Sequence, residues 1–67
     1  MQKLTKREMQ IVNLLVEGLT NKQIADRLFL SVHTIKANLE NIYEKLNVHS
    51  RVELAVYVIK NEYINSN

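Results

Sequence analysis

The chain has 67 residues, with nine Lys and Arg against seven Asp and Glu, a net charge of +2 with both histidines neutral. Its 46% apolar content, single glycine and lack of proline and cysteine exclude a disordered or fibrous chain, disulfides and thiolate metal sites. No apolar run approaches the roughly 18 residues that span a bilayer and no signal peptide precedes the first helix start, so one soluble, cytoplasmic domain is expected.

A domain this short buries only about 60% of the surface its unfolded chain exposes, and oligomerisation is one remedy. The charge is too small to identify a nucleic-acid partner by itself. Residue placement has to carry that question.

The first element opens on Thr5, followed three positions later by Glu8. This is a capping box, in which two side chains satisfy backbone N–H groups that a helix start leaves unpaired. Leu4 and Met9 flank it at the spacing of a hydrophobic staple. Gly18, the only glycine, suits the left-handed position after the helix, which is predicted over 6–17. The second start repeats the pattern with Thr20 and Gln23, stapled by Leu19 and Ile24, and predicts a helix over 21–28. Ser31 caps a third helix less completely, with Leu30 and Ile35 as staple, and Asn47 is the next-best residue after glycine to end it, giving 32–46. Ser50 with Glu53, flanked by His49 and Leu54, opens a fourth over 51–62. Each cap contributes about 1 kcal/mol. The predicted fold class is all-α, a four-helix bundle containing a helix-turn-helix.

At about 100° per residue, Val32, Ile35, Leu39, Ile42 and Leu46 fall on one stripe of the third helix and are predicted to face the core. Its opposite side carries His33, Ala37, Glu40, Asn41 and Glu44, flanked by Thr34 and Lys36. Such a face can enter a major groove about 12 Å wide. It can equally be a solvated exterior in which Lys36 and Glu40 form an i,i+4 ion pair. Beside it, Asn21 and Lys22 stand at a helix start, where free N–H groups and the positive dipole end favour phosphate, although a polar first turn is the plainer account. On the fourth helix Leu54, Ala55 and Val58 form a core stripe. Val52, Val56, Ile59 and Tyr63 form a second, which either pairs with another copy, packs on residues 1–4, or is scattered surface. Phe29, Tyr43 and Tyr57 read as packing or rim residues.

Enzyme chemistry has no support. There is no glycine-rich phosphate loop and no cysteine nucleophile, and His33 and His49 lie on different elements without a ligand pattern. Glu40 and Glu44 lie on an exposed helix face with nothing to desolvate them. No cofactor, metal or small-molecule ligand is expected.

Four blocks in order, LTKRE, GLTNKQIA, LSVHTIK and NIYEKLNVHSR, resemble the DNA-binding domain of LuxR-type regulators, the family that includes the GerE and NarL/FixJ output domains. The resemblance runs from Leu4 to about Ile64 and implies a four-helix bundle with helix 3 in the major groove and helix 4 commonly a dimer contact. It implies base contacts from His33, Lys36 and Ala37, with Glu40 one turn on, and phosphate contacts from Thr20, Asn21, Lys22 and Thr34. The chemistry is suitable. Lys36 can donate to guanine O6 or N7, Ala37 can pack on a thymine methyl, and Glu40 can accept from cytosine N4 or pair with Lys36 instead. His33 can donate to a base or lie in solvent.

Many family members have His where this chain has Asn38 and Gly where it has Asn47. Asn38 can still donate to phosphate, without a positive charge, and Asn47 adopts the left-handed conformation at a small cost. A homodimer through Val52, Val56, Ile59 and Tyr63 would place two copies of helix 3 in successive major grooves of double-stranded DNA, over inverted half-sites. RNA polymerase is a further partner the resemblance suggests.

The chain is read as the C-terminal output domain of a longer response regulator, in this family most often one with a phosphorylatable receiver; a short stand-alone regulator is the alternative. Two rival readings stay open. One is a helical adaptor that binds protein through the Val52 and Val56 stripe and never touches DNA. The other is the promoter-recognition region of a sigma factor, which shares the LTKRE-like start.

Overall fold

Backbone donors decide where the helices begin and end. The computed structural model describes residues 3–61. It contains α1 (Lys6–Val16), α2 (Asn21–Leu28), α3 (Val32–Leu46) and α4 (Arg51–Lys60). There is no strand among the described residues, and the all-α helix-turn-helix fold expected from the sequence is the one observed. α1 stops one residue earlier than predicted, and the last helix, predicted to reach residue 62, already ends at Lys60, with Asn61 as its C-cap.

Thr5 Oγ1 accepts from the Glu8 N–H at 3.1 Å while Glu8 Oε1 accepts from the Thr5 N–H at 2.8 Å. Thr20 and Gln23 repeat the exchange at 3.2 and 2.8 Å. Ser31 Oγ accepts from the Thr34 N–H at 3.0 Å and donates to Thr34 Oγ1 at 3.0 Å. The fourth start departs from expectation. Ser50 Oγ accepts from the Glu53 N–H at 3.1 Å, but Glu53 Oε1 accepts from the N–H of His49, at 2.7 Å, so the box with Ser50 is not closed. Ser50 has a φ of −156°, against −73° and −76° at Thr5 and Thr20, which turns its own N–H away and brings the preceding one into reach. His49 is also exposed and seals nothing as a staple.

The first three helices end alike. Gly18, Phe29 and Asn47 have φ of +96°, +59° and +56°. In each case the next residue donates back across the last turn, Leu19 to the Leu14 carbonyl at 3.2 Å, Leu30 to Ala25 at 2.8 Å and Val48 to Tyr43 at 3.0 Å. These are Schellman motifs, and the residue after the left-handed position is apolar and packs against the core each time. Asn47 and Gly18 were legible as stops. Phe29 was not, because an aromatic at positive φ costs about 1–2 kcal/mol and carries no stop signal.

α1 packs against each of the other helices, and α2 packs against α3. Ile11, Val12 and Leu15 of α1 meet Ile24 and Ala25 of α2, Ile35, Leu39, Ile42 and Leu46 of α3, and Leu54 and Val58 of α4 in one core that also takes Leu4. Val32 was expected in the α3 stripe but is 36% exposed. It stands at the first position of the helix, a turn ahead of Ile35, at the edge of the buried stripe. Ala55 is half-buried beside the core. Phe29, expected as a packing or rim residue, is 93% exposed, whereas Tyr43 and Tyr57 pack against the core.

One ionic contact crosses this interior. Lys45 Nζ lies 2.7 Å from Glu8 Oε1, tying the last turn of α3 to the first of α1. Burial pushes the Glu8 carboxyl up, but hydrogen bonds from Lys45 and from the backbone and hydroxyl of Thr5, with the Lys45 charge, outweigh it and hold its pKa below the ordinary glutamate value. Among the described residues no helix is long and apolar enough to cross a membrane.

Candidate nucleic-acid interface

A turn of three residues, Phe29 to Ser31, separates α2 from α3. The left-handed Phe29 reverses the chain, Leu30 anchors it to the core, and Ser31 starts the next helix. So short a connection leaves the two helices no freedom to drift, which is the mechanical requirement of a helix-turn-helix.

On α3, His33, Lys36, Ala37 and Glu40 are exposed, and Thr34 and Asn38 are half-buried. The Lys36–Glu40 ion pair weighed from the sequence is not formed: among the described residues the side-chain ion pairs are Lys22–Asp26 and Lys45–Glu8. The Lys36 ammonium is therefore not tied to a carboxylate. Asn38 Nδ2 donates to the Thr34 carbonyl at 2.8 Å, a bond that occupies one of its two N–H groups and holds the amide against the helix.

At the start of α2, Thr20 is engaged in its capping box, and Lys22 approaches Asp26 at 3.7 Å with both side chains largely in solvent. A loose, exposed i,i+4 pair of this kind is worth a few tenths of a kcal/mol and yields readily to a phosphate. Asn21 is half-buried, and its Oδ1 accepts from Arg51 Nη1 at 2.7 Å. Thr20, Asn21, Lys22 and Arg51 line one shallow groove.

Val52, Val56 and Ile59 on α4 are 72%, 53% and 61% exposed, so the second stripe has no cover within the described part of one chain. Leu4, considered as cover for it, is buried in the core instead. Tyr63, the fourth member, lies outside the described residues. Val52 and Val56 share an open groove with Val48, Tyr57 and Lys60. Among the described residues no three His, Asp or Glu side chains gather to hold a metal ion.

Three features escaped the sequence reading. Arg51 sits inside the NIYEKLNVHSR block, yet nothing in local spacing links it to Asn21, thirty positions away. Glu8 was legible as a cap, while its partner Lys45 is separated by 37 residues. Phe29 has no signal at all.

A family model described as bacterial regulatory proteins of the luxR family matches residues 2–58. The chain is 44% identical over 64 residues to the transcriptional regulatory protein LiaR of Bacillus subtilis, covering 96% of this chain and 30% of that protein. It is 43% identical over 61 residues to the oxygen regulatory protein NreC of Staphylococcus carnosus, covering 91% of this chain and 28% of that protein. With the fimbriae Z protein of Escherichia coli K12 it shares 54% identity over 54 residues, 81% of this chain and 26% of that protein. The chain thus spans less than a third of the length of these curated relatives.

Proposed function

The chain belongs to the luxR family of bacterial regulatory proteins, as a DNA-binding domain of the transcription-regulating type, and from that membership we propose how it engages DNA. The first two turns of α3 enter the major groove. His33, Lys36 and Ala37 meet base edges, with Glu40 at the margin, where it accepts from a cytosine or limits the depth of entry. Thr20, Asn21, Lys22, Thr34 and Asn38 meet the phosphates alongside and set the register. The observation that carries this reading is the exposed, unpaired Lys36 on a face that is otherwise small or polar over the first turns of α3.

Two copies pair through Val52, Val56 and Ile59, with Tyr63 continuing the same stripe, and present two α3 helices to inverted half-sites about one helical turn apart. The native protein is a longer response regulator, this chain its C-terminal output domain and a receiver the remainder. RNA polymerase at a nearby promoter is its partner in regulation.

Selection of bound sites from a random duplex pool tests binding, sequence and spacing together. The expected result is an inverted repeat; a pool that stays random at low salt rejects the reading and favours a helical adaptor. Val56→Asp separates pairing from reading. The variant should remain folded, sediment as a monomer where the unaltered chain pairs on DNA, and bind the selected site more weakly. An unchanged sedimentation profile and affinity would remove α4 as the seam.

A further inference from the structure

Arg51 occupies the first position of α4, yet its guanidinium serves another helix. Nη1 donates to Asn21 Oδ1 at 2.7 Å and Nη2 donates to the Leu19 carbonyl at 2.5 Å. The two acceptors flank Thr20, the N-cap of α2, so one planar fork grips the chain on both sides of that cap. A guanidinium has donors only, and this settles how the Asn21 amide is turned. Its oxygen must face Arg51. Its Nδ2, on the opposite side of the amide carbon, is directed away and has no protein partner among the described residues.

We infer that Arg51 is a positioning residue for DNA binding: it fixes the Asn21 amide with the NH2 outward, as a donor to a backbone phosphate, and thereby ties the start of α4 to the grip of α2. This rests on the DNA-binding reading above and adds a role for a residue that need not touch the nucleic acid. Without the fork the amide can rotate, and its oxygen, an acceptor only, would face the phosphate as often as its nitrogen. Lysine retains the charge but concentrates its donors on one nitrogen, which cannot span Asn21 and Leu19 with the same planar geometry.

The test is a double-variant cycle on the selected duplex, using Arg51→Lys, Asn21→Ala and the two combined, so that every variant keeps the same formal charge. Arg51→Lys and Asn21→Ala should each weaken binding about tenfold, the order expected for loss of one hydrogen bond to a charged group. Their combination should be no weaker than Asn21→Ala alone, with thermal unfolding confirming that each variant is folded. Arg51→Lys binding as the unaltered chain does, or losses that multiply to about a hundredfold in the combination, would overturn the assignment; the second result would mean that Arg51 acts directly or through the fold. If the unaltered chain binds no duplex, the DNA-binding reading itself fails. If it binds and Arg51→Lys has no effect, only the role of Arg51 falls. Should Arg51→Lys not fold, the side-chain amide of Asn21 in the unaltered chain decides: its NH2 resonances must shift when duplex is added, and resonances that stay in place reject the proposal.

Discussion

The two halves of α3 are built for different tasks. From Val32 to Asn38 only Ile35 is buried, and beyond Val32 the exposed positions carry an imidazole, an unpaired ammonium and a methyl. From Leu39 to Leu46 the helix is fastened, with Leu39, Ile42 and Leu46 buried and Lys45 joined to Glu8 beneath α1. The outer side of this second half bears Glu40 and Glu44, two carboxylates that a phosphate backbone repels. A helix anchored at one end and bare at the other can hold its free turns in a groove without help from a ligand. On the proposed reading, the acidic half would set how far along the helix DNA reaches.

The largest effect should come from loosening the anchored half. Lys45→Ala leaves a carboxylate that is 4% exposed without its cationic partner, and should destabilise the domain by about 1–3 kcal/mol in thermal or urea unfolding. The same pair predicts the pH dependence. Because the folded pKa of Glu8 lies below its unfolded value, its contribution is complete above the ordinary glutamate pKa of about 4.3 and is lost as pH falls through the lower folded value. Glu8→Gln should flatten that acid limb of the stability profile. An unaltered limb would mean that other carboxylates govern it.

In the bare half the expectation reverses, since Lys36→Ala should leave the unfolding midpoint where it is and cost about 1–3 kcal/mol of binding, with preference relaxed at one base pair. Lys22→Ala sharpens the contrast. It should weaken all duplexes alike and lower the slope of log affinity against log salt by about one. Loss of discrimination by Lys22→Ala, with none by Lys36→Ala, would exchange the roles assigned to α2 and α3.

The smallest effect should be at the turn between them. Phe29→Gly removes left-handed strain of about 1–2 kcal/mol and adds unfolded-state entropy worth about 0.5–1 kcal/mol, so the unfolding midpoint should stay where it is or rise slightly. A substantial loss would mean that this exposed ring has a contact the isolated chain does not account for.

Helix bounds were readable from the sequence because Thr5, Thr20, Ser31 and Gly18 act within a few residues of themselves, and local chemistry is what a linear reading captures. The apolar stripes of α3 and α4 were readable for the same reason, apart from Val32, whose burial depended on whether another helix reached the first turn. The box at Ser50 was not legible in detail, because it depends on a backbone angle that residue type does not specify. The candidate site was half legible. Residue type and family blocks pointed to Lys22 and Lys36, but the absence of a Lys36–Glu40 pair, the Glu8–Lys45 anchor and the Arg51 fork all depend on how distant segments meet.

The most direct measurement is a titration of the isotope-labelled domain with its selected duplex, followed by backbone amide and side-chain NMR shifts. The account predicts the largest changes at residues 20–22 and 33–37, with little change at 43–46 deep in the anchored half. Changes centred on 43–49, with residues 33–37 undisturbed, would contradict it.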